Sequence, residues 1–249
     1  MNSFVIASVV FGGSFVAALI GMLLHVKLPD GHLDADSKDV IKLVMGLIGT
    51  MAALILGLLI ASANSTYNEQ SSALQSLSAK VVLLDRLLVF YGPEANGARE
   101  QLHDAVRAAH DRIWSPLGLR PPNLEAANRF AQTLQSLSPK TDAARLLQNR
   151  AMQVGESILQ TRLLMSEQAS ESIPWPFLTV LVFWIYVLFL GFGLFARFNV
   201  TVTLSLLVGA LSVSGAIFLI LELSTPYQGF MQISDAPLRH ALAQIESQI

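Results

Sequence analysis

Apolar and polar positions fall into two regimes along this chain. Four long stretches carry almost no charge, and between the second and third of them lies a water-compatible segment with helical periodicity. The first stretch runs from Ser3 to Val26, about 36 Å of helix against a hydrocarbon core of about 30 Å. A cleaved leader would need a basic start, a shorter apolar run and a small-residue cleavage site. No Lys or Arg precedes this run, so a retained span is expected. The second span is Leu43 to Ala63, the third Phe177 to Ala196 and the fourth Phe198 to Leu221, ending at Glu222. Only the turn around Arg197-Phe198-Asn199 separates the last two, which predicts an antiparallel hairpin.

Between the hairpins no strand-like alternation occurs. Leu74, Leu77, Val81, Leu84, Leu88 and Tyr91 keep a 3-4 spacing, which makes one apolar seam. No Gly or Pro interrupts the chain from Leu58 to Tyr91, so the second span is expected to continue as one long helix until Gly92-Pro93 stops it. A further helix is expected from Pro93 to Trp114, and a third from Leu124, with Asn123 as its cap, to Ser138-Pro139. A fourth runs from Thr141 back to the membrane at Pro174. The fold class is therefore all-α: a polytopic membrane protein with two transmembrane hairpins flanking a long extramembrane helical stalk. Its parts are a first hairpin (1–66), a helical region (67–173), a second hairpin (174–223) and a C-terminal tail (224–249).

Composition agrees: 53% of residues are hydrophobic and 14% charged, well below the roughly 25% charged of a soluble domain. The net charge of −2 leaves no nucleic-acid footprint. The chain has no cysteine, which excludes thiolate catalysis and disulfides. Four spans put both termini and the helical region on one side of the membrane. Basic residues near the spans do not decide which side: Lys27, Lys38, Lys42 and Arg197 lie on the turn side, and Lys80, Arg162 and Arg239 lie opposite.

Within the spans the informative pattern is small. Gly49, Ala53, Gly57, Ala61 and Ser65 recur every four residues, and Gly13, Ala17 and Gly21 do the same in the first span. Helices in lipid associate through backbone approach at such residues. The stripes can pack one hairpin on the other within a subunit, or the second span can border a pore on an oligomer axis. No Asp, Glu, Lys or Arg lies mid-span, which weighs against a proton-coupled transporter.

Candidate chemistry is sparse. His103 and His110 are seven residues apart, about 10.5 Å along a helix, too far for one zinc ion. With Asp104, Arg107 and Asp111 they read as a solvated face. His25, at the end of the first stripe, and Glu222 are membrane-interface candidates. Asp30, Asp34, Asp36 and Asp39 crowd the first turn without the glycine and terminal glutamate of a calcium loop. No nucleophile–base pair, phosphate loop or zinc motif is present, so no enzyme and no cofactor are expected.

Two segments carry a family resemblance. One is Leu84-Asp85-Arg86-Leu87-Leu88-Val89-Phe90-Tyr91-Gly92-Pro93-Glu94-Ala95 with Arg99. The other is Glu222-Leu223-Ser224-Thr225-Pro226-Tyr227-Gln228-Gly229-Phe230 with Ile233-Ser234 and Pro237-Leu238. With two hairpins around a helical middle, the chain resembles the bacterial bestrophin-like domain family of membrane proteins. Leu87, Tyr91, Gly92, Pro93, Arg99, Pro226, Tyr227 and Gly229 are the motif positions. Ser224-Thr225 stands where an acidic–basic pair is the family pattern, so no salt bridge is expected there. The resemblance implies a distant relation to bestrophin anion channels, ring-shaped oligomers whose termini and extramembrane helices are cytoplasmic. No bestrophin pore residue carries over, because no aligned neck motif is present. The implied partners are the lipid bilayer (a bacterial inner membrane), further copies of the chain and inorganic ions. The expected function is a homo-oligomeric ion channel or channel-like protein; the other reading is a non-conducting scaffold or sensor whose stalk binds a partner.

Overall fold

The computed structural model describes residues 2–27, 35–115, 119–170, 175–196 and 198–246, except the side chains of 35–37 and 170. The described residues form eight α-helices and no strand. They are α1 (Ser3–Lys27), α2 (Ala35–Tyr91), α3 (Asn96–Ile113), α4 (Leu124–Ser136), α5 (Asp142–Ser170), α6 (Trp175–Phe195), α7 (Val200–Leu223) and α8 (Ala236–Glu246). The fold class read from the sequence is the one observed. Four helices are long and apolar enough to cross a membrane: α1, α2, α6 and α7. The chain is a membrane-embedded protein. Arg197, Asp30, His32 and Asp34 lie outside the described residues, as does the side chain of Asp36.

The boundaries follow from local chemistry. α2 has 57 residues, about 85 Å at 1.5 Å per residue, far more than a bilayer core of about 30 Å requires. It ends at Gly92, whose φ of 117° is open to glycine but costly for any other residue, and Pro93 then opens a single 3-10 turn, Pro93–Ala95. The Asn123 carboxamide accepts hydrogen bonds from the Glu125 and Ala126 amides and so caps α4, as its position predicts. Thr141 Oγ1 accepts from the Ala144 amide at the start of α5, and Asn199 caps α7.

The chain divides into two compact units. A hairpin unit comprises Met1–Ser65 and Ser172–Ser224; a helical unit comprises Thr66–Glu171 and Thr225–Ile249. Within the hairpin unit the closest backbone approaches are those of α1 to α6 and α7. The basis of the α1–α6 approach is mutual: a Cβ on Gly21 would strike the Leu190 carbonyl, and one on Gly193 would strike the Ala18 carbonyl. Val10, Ala18, Leu181, Ala210 and Ile217 fill the core around this contact.

In the helical unit the seam on α2 is the core. Leu74, Leu77, Val81, Leu84 and Leu88 are all buried, against Leu102, Val106 and Ile113 of α3, Leu134 of α4, and Ala151, Val154 and Met165 of α5. The C-terminal segment completes this core with Tyr227, Ile233, Leu238, Ala241 and Ile245.

Candidate functional site

The motif residues singled out in the sequence converge in the helical unit. Asp85 and Arg99 form a buried ion pair, Arg99 Nε donating to Asp85 Oδ1 at 2.9 Å and Nη2 to Oδ2 at 3.5 Å. The pair fastens α3 to α2 across the Gly92-Pro93 break, with both ends of the fork engaged. Leu87 and Tyr91 are half-buried on the same stretch of α2, packed against the core.

The second motif wraps the other side of that core. Pro226 is buried, and its carbonyl accepts from the Ile233 amide at 2.7 Å, which closes the loop 226–233. Gly229, at φ 85°, turns that loop where any other residue would be strained. Tyr227 is buried, and its hydroxyl donates to Gln70 Oε1 at 2.8 Å. The Gln70 amide in turn donates to the Met165 carbonyl and to Gln168 Oε1. Trp114 meets Tyr227 edge-on with ring centroids 6.1 Å apart and donates its indole N–H to the Ile233 carbonyl at 3.0 Å. Burial pushes the Tyr227 phenol above its ordinary range, so it stays a neutral donor.

Reading the sequence missed Trp114 and Gln70. Trp114 lay at a helix end beside a loop, and Gln70 was one polar residue on a long helix. Neither spacing marks a buried hydrogen-bond partner for a residue over 100 positions away. The face of α3 read as solvated is likewise occupied. His103 Nε2 lies 2.9 Å from Glu246 Oε1 and His110 Nε2 lies 3.2 Å from Asp235 Oδ2, because the C-terminal segment docks there. Arg107 also donates to Glu246 Oε1, at 3.3 Å. Asp104 and Asp111 remain exposed. No group of three metal-ligating side chains occurs among the described residues.

The two small-residue stripes have different fates in the hairpin unit. Gly13 and Gly21 of α1 pack on α6, where a Cβ at Gly13 would meet the Tyr186 ring. The α2 stripe does not pack this way. Its inward face is Met45, Ala52, Leu59 and Ala63, while Ala53, Gly57, Ala61 and Ser65 are exposed. A Cβ on Gly57 would meet nothing within 4 Å, and one on Gly49 would only touch Leu188 at 3.9 Å. Packing between hairpins within the subunit is thus seen for the α1 stripe and not for the exposed residues of the α2 stripe. A step of four residues advances 40° around a helix, so that stripe winds away from the packed face. His25 is half-buried at the end of α1, and Glu222 is buried, at 2% exposure, at the end of α7.

The family model of the bestrophin-like domain matches residues 12–238. The chain belongs to the bestrophin-like domain family. No curated protein and no solved structure matches it. The matched span of this bestrophin-like chain takes in the first hairpin from residue 12, the second hairpin, the buried Asp85–Arg99 pair and the Pro226–Gly229 loop. In this bestrophin-like domain the motif glycines Gly92 and Gly229 are the positions of positive φ among the described residues. The motifs are thus the residues that close the helical unit upon itself.

Proposed function

We propose that this protein is a homo-oligomeric ion channel or channel-like protein of a bacterial inner membrane, conducting anions by family kinship. The outward small-residue face of α2 carries the reading. Two exposed sectors of the span differ in kind. Leu43, Leu47, Leu54 and Leu58 present large side chains suited to lipid, whereas Ala53 and Gly57, on the neighbouring sector, leave room for close approach. A glycine and alanine face wastes dispersion against mobile acyl chains and gains it against another helix, or borders an axial opening. With no ionisable group mid-span, such an opening would select through backbone groups and helix ends and gate by dewetting. The helical unit is read as cytoplasmic, following the same kinship.

The cysteine-free chain makes the test direct. Ala53→Cys and Gly57→Cys place unique thiols on the stripe. The reading expects disulfide-linked oligomers under oxidation. It also expects currents in planar bilayers that a charged, membrane-impermeant thiol reagent alters. A monomeric, non-conducting protein whose thiols react only with lipid-soluble reagents would overturn it. Closed oligomers with no current and a co-purifying partner would favour a scaffold or sensor instead.

A further inference from the structure

The helical unit contains a cavity of ≈ 500 Å³ bounded by the extramembrane part of α2 and by α3, α4, α5 and Leu238 of α8. Its walls are overwhelmingly apolar: Leu77, Val81, Val106, Phe130, Met152 and Ile158 are among them. The size falls within the roughly 300–1,000 Å³ typical of sites for small organic ligands. Arg162 of α5 also lines the cavity and is 4% exposed. Its Nη2 donates to the Arg120 carbonyl at 3.3 Å, while its Nη1 is buried and makes no hydrogen bond.

A buried guanidinium is expensive unless an anion faces it. Among the described residues no carboxylate pairs with Arg162; the charged or titratable groups acting on it are Tyr227, held neutral by burial, and Arg112, which also lines the cavity. Desolvation by the surrounding apolar walls pulls the Arg162 guanidinium below its ordinary range. The cavity's acid, Glu156, lies six residues earlier on α5, about 9 Å along the helix, and is exposed at the rim. The cavity therefore has a positive buried end, an apolar body and a wet acidic rim.

We propose that this cavity binds a single-chain amphiphilic anion of the fatty-acid class, its head on the Arg162 guanidinium, which turns Nη1 toward the cavity to meet it, and its alkyl chain among the α2, α3, α4 and α5 side chains. The head satisfies the unpartnered donor and neutralises the buried charge. The chain covers apolar surface that otherwise stays wet. A cationic amphiphile is repelled by Arg162 and Arg112, and a neutral one can accept a hydrogen bond but leaves the buried charge uncompensated.

The test uses the full chain in lipid nanodiscs with a diazirine-bearing palmitate as photoprobe. Adducts are mapped by mass spectrometry, with palmitate, monopalmitoyl lysophosphatidate or hexadecanol as competitors. The expected result is labelling of cavity-wall peptides of α2, α3 or α5. Palmitate or lysophosphatidate should displace the probe at least roughly tenfold more effectively than hexadecanol, the worth of one charge-assisted hydrogen bond. Whichever of the two displaces it identifies a carboxylate or a phosphate head. Arg162→Met should lose labelling while its melting temperature stays equal or rises, since it removes an unpaired buried charge; Ala109→Phe should block labelling by filling the space. Labelling confined to the membrane spans, hexadecanol competing as well as palmitate, or undiminished labelling of a folded Arg162→Met would overturn the proposal. The wild-type competition decides the matter even if a variant does not fold.

Discussion

Gly92 and Gly97 sit five residues apart and place opposite demands on a side chain. Gly92 has φ 117° and ends α2, while Gly97 lies in the first turn of α3 with nothing within 4 Å of its Cβ position. Gly92→Ala should therefore destabilise by about 1–3 kcal/mol through backbone strain. Gly97→Ala should stabilise by up to about 1 kcal/mol, because alanine loses less entropy in a helix. Chemical denaturation followed by circular dichroism separates the two signs. The Asp85–Arg99 pair belongs at this scale too. It was visible in the sequence only as two charges in a motif, because nothing along the chain says that residues 14 apart meet across a helix break.

Among elements, α1 and α6 are joined by backbone contact and α8 by side chains. Gly21→Val should disrupt the hairpin unit, since the added carbons meet the Leu190 carbonyl, which cannot retreat without moving α6. Overpacking of this kind costs roughly 1–3 kcal/mol or more, to be read as a lower melting temperature in detergent. Gly57→Val, with open space around it within the subunit, should spare the packing of the hairpin unit itself, and lower the melting temperature only as far as it pushes subunits apart in the oligomer. α8 should be acid-sensitive. The hydrogen bond from His103 holds the Glu246 carboxyl below its ordinary range, with Arg107 adding to the effect. A depressed carboxylate stabilises the docked helix above the usual carboxylate pKa, and that contribution fades as pH falls through the lowered value. Amide exchange in α8 should accelerate on acidification, and Glu246→Gln should flatten that response. The elements themselves were largely legible: the seam from Leu74 to Leu88, the stop at Gly92-Pro93 and the Asn123 cap all follow from local spacing. α8 was not, since 11 residues with a short apolar stripe give too weak a periodic signal against the polar tail around them. The direction in which the α2 stripe faces was also invisible, because periodicity marks a face without naming its neighbour.

At the scale of the whole molecule, the C-terminal segment belongs to the same unit as Thr66–Glu171. Ile233, Leu238 and Ile245 are each at most 4% exposed. At about 1.5–3 kcal/mol per buried aliphatic side chain their loss approaches the entire 5–15 kcal/mol stability of an ordinary domain. A chain ended after Ser224 should thus keep its membrane insertion yet lose cooperative unfolding of the helical unit, and limited proteolysis should cut between Thr66 and Glu171. The Trp114 contact makes this event observable by light. Of the three tryptophans, Trp175 and Trp184 belong to α6, so a Trp175→Phe/Trp184→Phe chain emits from Trp114 alone. Its indole lies against Tyr227 and bonds the Ile233 carbonyl. Release of the tail would bare it to water and redden its emission, so the molecule carries its own optical gauge of whether its C-terminal segment is seated.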